Sequence, residues 1–288
     1  MINGRPYVGR FAPSPTGRLH LGSMVAAVAS YLDAKVHGGR WLVRIEDLDP
    51  TREVKGVSSD ILRTLESFGL GWDGPVVYQS TRHEKYREAL DSLMISGLAF
   101  GCACTRKTLA KADGSRVYPG FCRSGLPKGT APRSWRFKMP RGVSLSWHDR
   151  VVGRQSYSPD SVGDVTLLRA DGHWAYHLAV VVDDADQEVT DIVRGADLIS
   201  STAAHVGIQR ALGIPKPKYA HVPLVLNAEG QKLSKQTLAR PVEIKDSREV
   251  LSMVFKHLSL PEDMSSHPRD MMSSAIKHWG KKWKEEDE

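Results

Sequence analysis

From Leu21 onward the apolar residues fall at Leu21, Met24, Val25, Val28, Leu32 and Val36, spaced to line one face of a helix that Gly38-Gly39 stops. Ahead of it, Tyr7 to Phe11 reads as a short strand ending at Ala12, because Pro13, Pro15 and Gly17 break any regular element. Behind it, Arg40 to Ile45 reads as a buried strand, followed by an acidic turn of Glu46, Asp47, Asp49 and Pro50. A second helix is expected from near Glu53, with Val57, Ile61, Leu65 and Phe68 at helical spacing and Gly69 and Gly71 ending it. A strand over Val76 to Ser80 and a third helix around Tyr86, Leu90 and Leu93 complete an alternation of strand and helix. That alternation predicts an α/β fold with a parallel sheet and crossover helices, and residues 1–97 read as the first half of a Rossmann-type domain.

Over residues 98–161 the alternation stops, and cysteines, glycines, prolines and short strand-like runs such as Trp135 to Met139 mark an insertion. It resumes over 162–239 with Asp164 to Gly172, Ala179 to Asp184, Val189 to Gly195, a helix from Asp197 to about Leu212, and a strand over His221 to Asn227. Leu178 to Val182 suits a strand and a buried helix equally, since a short apolar run carries no period. Residues 240–288 read as a small, polar helical region whose Trp279 and Trp283 either stack on nucleotides or pin the last helix to its own domain. No internal repeat is visible.

Charge adds a partner class to this outline. In 288 residues, Lys plus Arg number 40 against 33 Asp plus Glu, a formal +7 that suits a polyanion. The absence of an apolar run of ~18 residues argues against a membrane span, and the N-terminus lacks the basic-then-apolar order of a secretion signal. A cytoplasmic protein is therefore expected. Three cysteines, an odd number, argue against a disulfide framework and for reduced thiols or a metal.

The densest chemistry lies in residues 10–23, RFAPSPTGRLHLGS, where a tight loop joins a strand to a helix. His20 and the backbone N–H groups of Leu21, Gly22 and Ser23 sit at the helix N-terminus, where unpaired donors and the helix dipole favour an anion such as phosphate. Gly22 lets a flat ligand approach the backbone. Much later, KLSKQ places Lys232 and Lys235 on a loop after the His221 strand and an Ala-Glu-Gly turn. The two stretches together resemble the paired signatures of class I aminoacyl-tRNA synthetases, the first in the form worn by the glutamyl and glutaminyl branch. Ser23 stands where the full signature has a second histidine, and Gln236 where the later one ends in serine.

The resemblance runs from about residue 5 to residue 240, and implies that an amino acid carboxylate attacks the α-phosphate of ATP. Two anions must then be brought together, which cations and N–H dipoles make possible. On this reading His20, Lys232 and Lys235 are catalytic, Gly22 and Ser234 join them in holding ATP, and Mg²⁺ rides on the nucleotide. An amino acid with two carboxylates and an ammonium calls for arginines and a carboxylate in one pocket. The resemblance places glutamate on Arg10, Phe11, Ala12, Pro13, Ser14, Glu46, Tyr176 and Arg194. Each has a plainer role available: Glu46 capping a helix, Tyr176 in the core, Arg194 paired with Asp197, Arg10 at a solvated strand end.

Cys102, Cys104 and Cys122 offer three thiolates, one short of a closed structural zinc site. The chain also resembles the glutamyl-queuosine tRNA(Asp) synthetases, short relatives of glutamyl-tRNA synthetases, and that resemblance implies Tyr118 as the fourth ligand of one structural zinc. It further implies transfer of glutamate to the queuosine base at the wobble position of tRNA(Asp). About fifty residues follow Gln236, fewer than an anticodon-reading domain needs, so the anticodon stem-loop itself is expected to enter the site of a monomer. The alternatives are a tRNA-binding module without catalysis and an enzyme that charges a tRNA acceptor end with glutamate.

Overall fold

A computed structural model describes residues 5–110, 117–226, 230, 240–263, 265 and 267–283. The first half builds a parallel sheet from β1 (Val8–Phe11), β2 (Arg40–Ile45) and β3 (Val77–Tyr78), with α1 (Leu21–Val36), α2 (Val57–Ser67) and α3 (His83–Ile95) between and after the strands. Helix α1 buries more than one stripe because it packs against β1 and also against the C-terminal helices. Helix α2 starts at Val57, later than the apolar spacing suggested. The N–H of Val54 is taken by the carbonyl of Pro15 at 3.0 Å, and Gly56, at φ 84°, turns the chain into the helix. The run over Val76 to Ser80 is a strand only at Val77–Tyr78, since Gln79 turns inward and donates to Asp183 Oδ2 at 2.7 Å.

Next come β4 (Ala99–Cys102), α4 (Arg106–Ala110), β5 (Ser134–Phe137), β6 (Leu145–Asp149), β7 (Gly153–Tyr157), α5 (Pro159–Val162) and β8 (Thr166–Leu168). The remaining elements are α6 (Tyr176–Asp186), β9 (Asp191–Gly195), α7 (Ile199–Ala211), β10 (Lys218–Val222), α8 (Ser247–His257) and α9 (Pro268–Trp283). Leu178 to Val182 therefore lies in a helix, buried on several sides between α3, α7 and β8, which is why it showed no period. Strands β4, β5 and β8 form an antiparallel sheet, whereas the β6–β7 hairpin joins β10 and β9 in the order β7-β6-β10-β9. The pairing thus cuts across boundaries drawn at 98 and 161: residues 145–157 bond to the second parallel sheet, and 166–168 close the sheet of the insertion.

The two parallel sheets meet where Thr190, just before β9, donates its N–H to Val8 O at 2.9 Å and accepts from Val8 N on its hydroxyl at 2.8 Å. Side by side the strands run β3-β2-β1 and then β9-β10-β6, so the order reverses between β1 and β9. In open α/β sheets such a reversal leaves a crevice beyond the carboxyl ends of the strands. The strands also sort their side chains by face. Phe11, Trp41, Val43, Ile45, Val193, Ala220 and Val222 belong to the core under α1, α2, α8 and α9. Val8, Leu42, Ile192 and Tyr219 belong to the core under α3, α6 and α7. By the same alternation Arg10, Arg44, Arg194 and His221 all point to this second face.

The last helix is pinned by Trp279, whose Nε1 donates to buried Asp33 at 3.0 Å; Asp33 also accepts from Tyr7 and Arg150. Trp279 is buried in the core and so is not a stacking platform. Among the described residues no helix is long and apolar enough to cross a membrane.

Candidate active site

The loop after β1 is tied to the acidic turn by Glu46 N donating to Pro13 O at 2.9 Å and by the Val54–Pro15 bond. It leaves Phe11 and Pro13 buried, Ala12 half-buried and Ser14 exposed. His20 caps α1. Its Nδ1 accepts from Ser23 N at 3.2 Å while Ser23 Oγ accepts from His20 N at 2.8 Å, a reciprocal capping box that leaves the ring proton to Nε2. Ser23, the departure from the expected signature, thus holds His20 in place. That role was readable in the H-x-x-S spacing. Lys232, Ser234 and Lys235 lie outside the described residues. The chain beyond them returns to the same loop: Val242 N donates to Leu19 O at 2.8 Å, and Arg18 donates to both carboxylate oxygens of Glu243 at 2.9 and 3.3 Å.

Around Glu46 lies a buried network that sequence reading missed. Arg10 Nε donates to Asp184 Oδ1 at 3.1 Å, and Arg44 donates to the same oxygen at 2.8 Å and to Gln187 Oε1 at 2.7 Å. Asp183 accepts from Gln79, Arg82 and Tyr86. The signal was an acidic pair closing an apolar run, Asp183-Asp184, which is tolerable inside only with arginines and other buried donors around it. Glu46 is 3.6 Å from Arg44 Nη2, too far for a hydrogen bond, and its Oε1 has no hydrogen-bond partner among the described residues. Burial, outweighing the attraction of Arg44 and Arg10, pushes its carboxyl up to about 7.

Arg194 presents the opposite case, a buried cation with no carboxylate at ion-pair distance among the described residues. It is 5% exposed and donates to His221 Nε2 at 3.1 Å, Tyr176 OH at 3.2 Å and Thr202 Oγ1 at 2.7 Å, all on neutral side chains. The pairing with Asp197 left open by the sequence is not made. Burial, with Arg194 adding to it, pushes neighbouring His177 down to about 4, while burial raises Tyr176 against the opposing charge of Arg194, so both stay uncharged near neutrality. A buried, uncompensated arginine calls for an anion.

These groups border a cleft of about 540 Å³, walled on one side by Ser14, Glu46, Tyr176 and His177 and on the other by Tyr118 and Arg136 of the insertion. Of the expected site residues, Ser14, Glu46, Tyr176 and Tyr118 line it. Arg10 and Arg194 stand behind its wall, linked to it through the Asp184 network and through Tyr176. His20 and Gly22 lie at the α1 start, outside the lining.

In the insertion, Tyr118 OH is 3.4 Å from Cys102 Sγ and 3.6 Å from Cys104 Sγ, which is 3.6 Å from Cys122 Sγ. The three sulfurs lie within 4.8 Å of one another. Thiolates ~2.3 Å from a tetrahedral ion stand about 3.8 Å apart, so the cluster could hold a metal ion. Burial opposes a thiolate at Cys102, but hydrogen bonds from Tyr118 and the Cys104 N–H bring it down to about 7. Arg136 lies over the Tyr118 ring, 4.0 Å from its centroid, where its charge offsets that of anionic ligands.

Comparison with known proteins fits this geometry. Residues 7–255 match the family described as class I tRNA synthetases (E and Q), catalytic domain. The chain is 56% identical over 248 residues to the Glutamyl-Q tRNA(Asp) synthetase of Chromobacterium violaceum, covering 84% of this chain and 82% of that protein. It is 50% identical over 286 residues to the protein of the same name from Neisseria meningitidis serogroup C, covering 95% of each. Among solved structures, a glutamate tRNA ligase from Elizabethkingia meningosepticum in complex with its amino acid superimposes with a TM-score of 0.80 at 27% identity, over 95% of this chain and 66% of that one.

Proposed function

The chain belongs to the class I tRNA synthetases of the glutamate and glutamine branch, and we propose that it activates L-glutamate with ATP and transfers it to the queuosine base at the wobble position of tRNA(Asp). Ligase chemistry of the glutamate–tRNA type follows from the family and the named relatives. The observation that carries the glutamate assignment is a cleft lined by Glu46, whose buried Oε1 has no hydrogen-bond partner among the described residues, and by Tyr176, behind which stands the buried Arg194 with no carboxylate of those residues at ion-pair distance. An amino acid brings the complementary charges: its ammonium suits Glu46, and its carboxylates suit Arg194 and Arg10.

In the first step a glutamate α-carboxylate oxygen attacks the α-phosphorus of ATP, and the bond to pyrophosphate breaks. His20, with its proton on Nε2, donates to the phosphates, and the α1 N-terminus at Gly22 supports them. Lys232, Lys235 and Ser234 would complete the cradle, with Mg²⁺ carried by the nucleotide. In the second step an acceptor hydroxyl attacks the acyl carbon and AMP leaves. Cys102, Cys104, Tyr118 and Cys122 would hold one zinc, whose part is to close the insertion. The acceptor hydroxyl would come from the cyclopentenediol of queuosine, with the anticodon stem-loop against the cleft of a cytoplasmic monomer. The names of the relatives support that target.

The test is glutamylation, with labelled glutamate, of tRNA(Asp) from cells that make queuosine and from cells that cannot. Labelling confined to the first is expected. Equal labelling of both, or labelling of tRNA(Glu) at its terminal adenosine, would overturn the acceptor assignment.

A further inference from the structure

We propose that Asp149 and His221 form a buried relay that fixes the orientation of Arg194, making His221 a positioning residue for the arginine that meets the substrate carboxylate. The proposal rests on the assignment of Arg194 to the glutamate pocket. Three neighbouring strands supply the three residues. Arg194 on β9 and His221 on β10 are register partners, and β10 pairs with β6 at Tyr219 and Asp149. Pleating puts Arg194 and His221 on the same face, so their side chains meet edge to edge.

The hydrogen bonds leave His221 one tautomer. Asp149 Oδ1 is committed to three backbone donors, the N–H groups of Val151, Val152 and His221, each at 3.1 Å. Its Oδ2 bonds His221 Nδ1. A carboxylate only accepts, so Nδ1 carries the proton. At the other end the Arg194 Nε–H lies 3.1 Å from Nε2, and an arginine only donates, so Nε2 must offer its lone pair. Both neighbours demand the same neutral ring. Burial, reinforced by the Arg194 charge, holds the His221 imidazole below its ordinary value despite Asp149. With Nε on His221 and one Nη2 proton on Thr202 at 2.7 Å, the guanidinium is locked in plane and its Nη1 end reaches Tyr176 at the cleft wall.

The same geometry says what Asp149→Asn would do. The three backbone N–H groups would hold the amide oxygen in the place of Oδ1, which puts the amide nitrogen against His221 Nδ1. That nitrogen donates, so the ring must move its proton to Nε2, where it meets the Arg194 Nε–H, donor against donor, and competes with Arg194 Nη2 for Thr202 Oγ1, 3.1 Å from Nε2. Arg194 then turns out of register while the volume of every side chain is kept.

Two measurements test this on the intact protein. Nitrogen NMR of the histidine rings should find His221 with its proton on Nδ1; a ring protonated on Nε2, or on both nitrogens, overturns the relay without any variant. In glutamate-dependent pyrophosphate exchange, Asp149→Asn should raise the KM for glutamate by roughly tenfold or more while the KM for ATP stays within about twofold. Arg194→Ala is the companion. If it raises the glutamate KM and Asp149→Asn does not, the relay is wrong and the pocket stands. If Arg194→Ala itself leaves the glutamate KM unchanged, the pocket assignment falls, and the relay with it.

Discussion

Glu46 is buried with its carboxyl pushed up to about 7 from an ordinary 4.5, so the folded protein holds its proton more tightly than the unfolded chain does. The stabilisation from that proton is complete below about pH 4.5 and is lost as pH rises to about 7. Glu46→Gln should therefore raise stability over wild type by roughly 2–3 kcal/mol at pH 8 and by much less at pH 5, read by urea unfolding at the two pH values. The same variant should lose ~10²-fold in glutamate-dependent exchange, because a neutral amide gives the substrate ammonium no counter-charge; near-normal exchange would remove Glu46 from the pocket. In the wild type, ammonium binding needs the ionised carboxyl, so the KM for glutamate should climb as pH falls below about 7, and a flat profile from pH 6 to 8 would contradict this. Glu46, Arg10, Tyr176 and Arg194 were singled out from the sequence, and the structure brings Glu46 and Tyr176 to the cleft with Arg10 and Arg194 behind them. Their partners Asp184, Thr202 and His221 were not singled out, because those contacts cross strands and helices far apart in the chain.

At the scale of elements, the amphipathic helices and the buried strands β1, β2 and β9 were legible, and the sheet partners of the later short strands were not. Helix α1 appears over Leu21–Val36, where its apolar spacing and the Gly38-Gly39 stop put it. The β6–β7 hairpin was read as part of the insertion because strands of five residues carry no mark of the partner they choose. The C-terminal helix α9 could not be settled from sequence, since a tryptophan among lysines suits a stacking platform as well as a core. Its attachment can be tested directly. Trp279→Ala removes a buried indole and leaves Asp33 short of a donor, and should cost roughly 3–5 kcal/mol. Trp279→Phe keeps most of the packing and loses only the N–H, so about 1–2 kcal/mol is expected. Equal losses in denaturant titrations of the two variants would show that packing alone holds α9.

Over the whole molecule, the order of strands makes a crevice at the β1–β9 reversal, and the insertion supplies its opposite wall. Ser14, Glu46 and Tyr176 line the cleft from the catalytic domain; Tyr118, a candidate metal ligand, and Arg136 over its ring line it from the insertion. The groups proposed for glutamate come from the catalytic domain, Glu46 and Tyr176 in the lining and Arg10 and Arg194 behind it, so we infer that the insertion faces whatever receives the glutamyl group. On that reading metal and acceptor are coupled through Tyr118, which is at once a candidate ligand and a lining residue. Removing the metal, or replacing Cys104 with Ser, should loosen the second wall and leave the first in place, because structural zinc contributes its binding free energy to local folding. Transfer to tRNA should then fall by roughly tenfold or more while glutamate-dependent pyrophosphate exchange falls by no more than about threefold. Purified protein should carry about one zinc per chain by metal analysis, the stoichiometry of one four-ligand site. The two assays on metal-stripped and zinc-restored protein decide the matter. A parallel loss of both activities would mean that the insertion supports the adenylation site itself, and an equal retention of both would mean that the cluster does not shape the cleft.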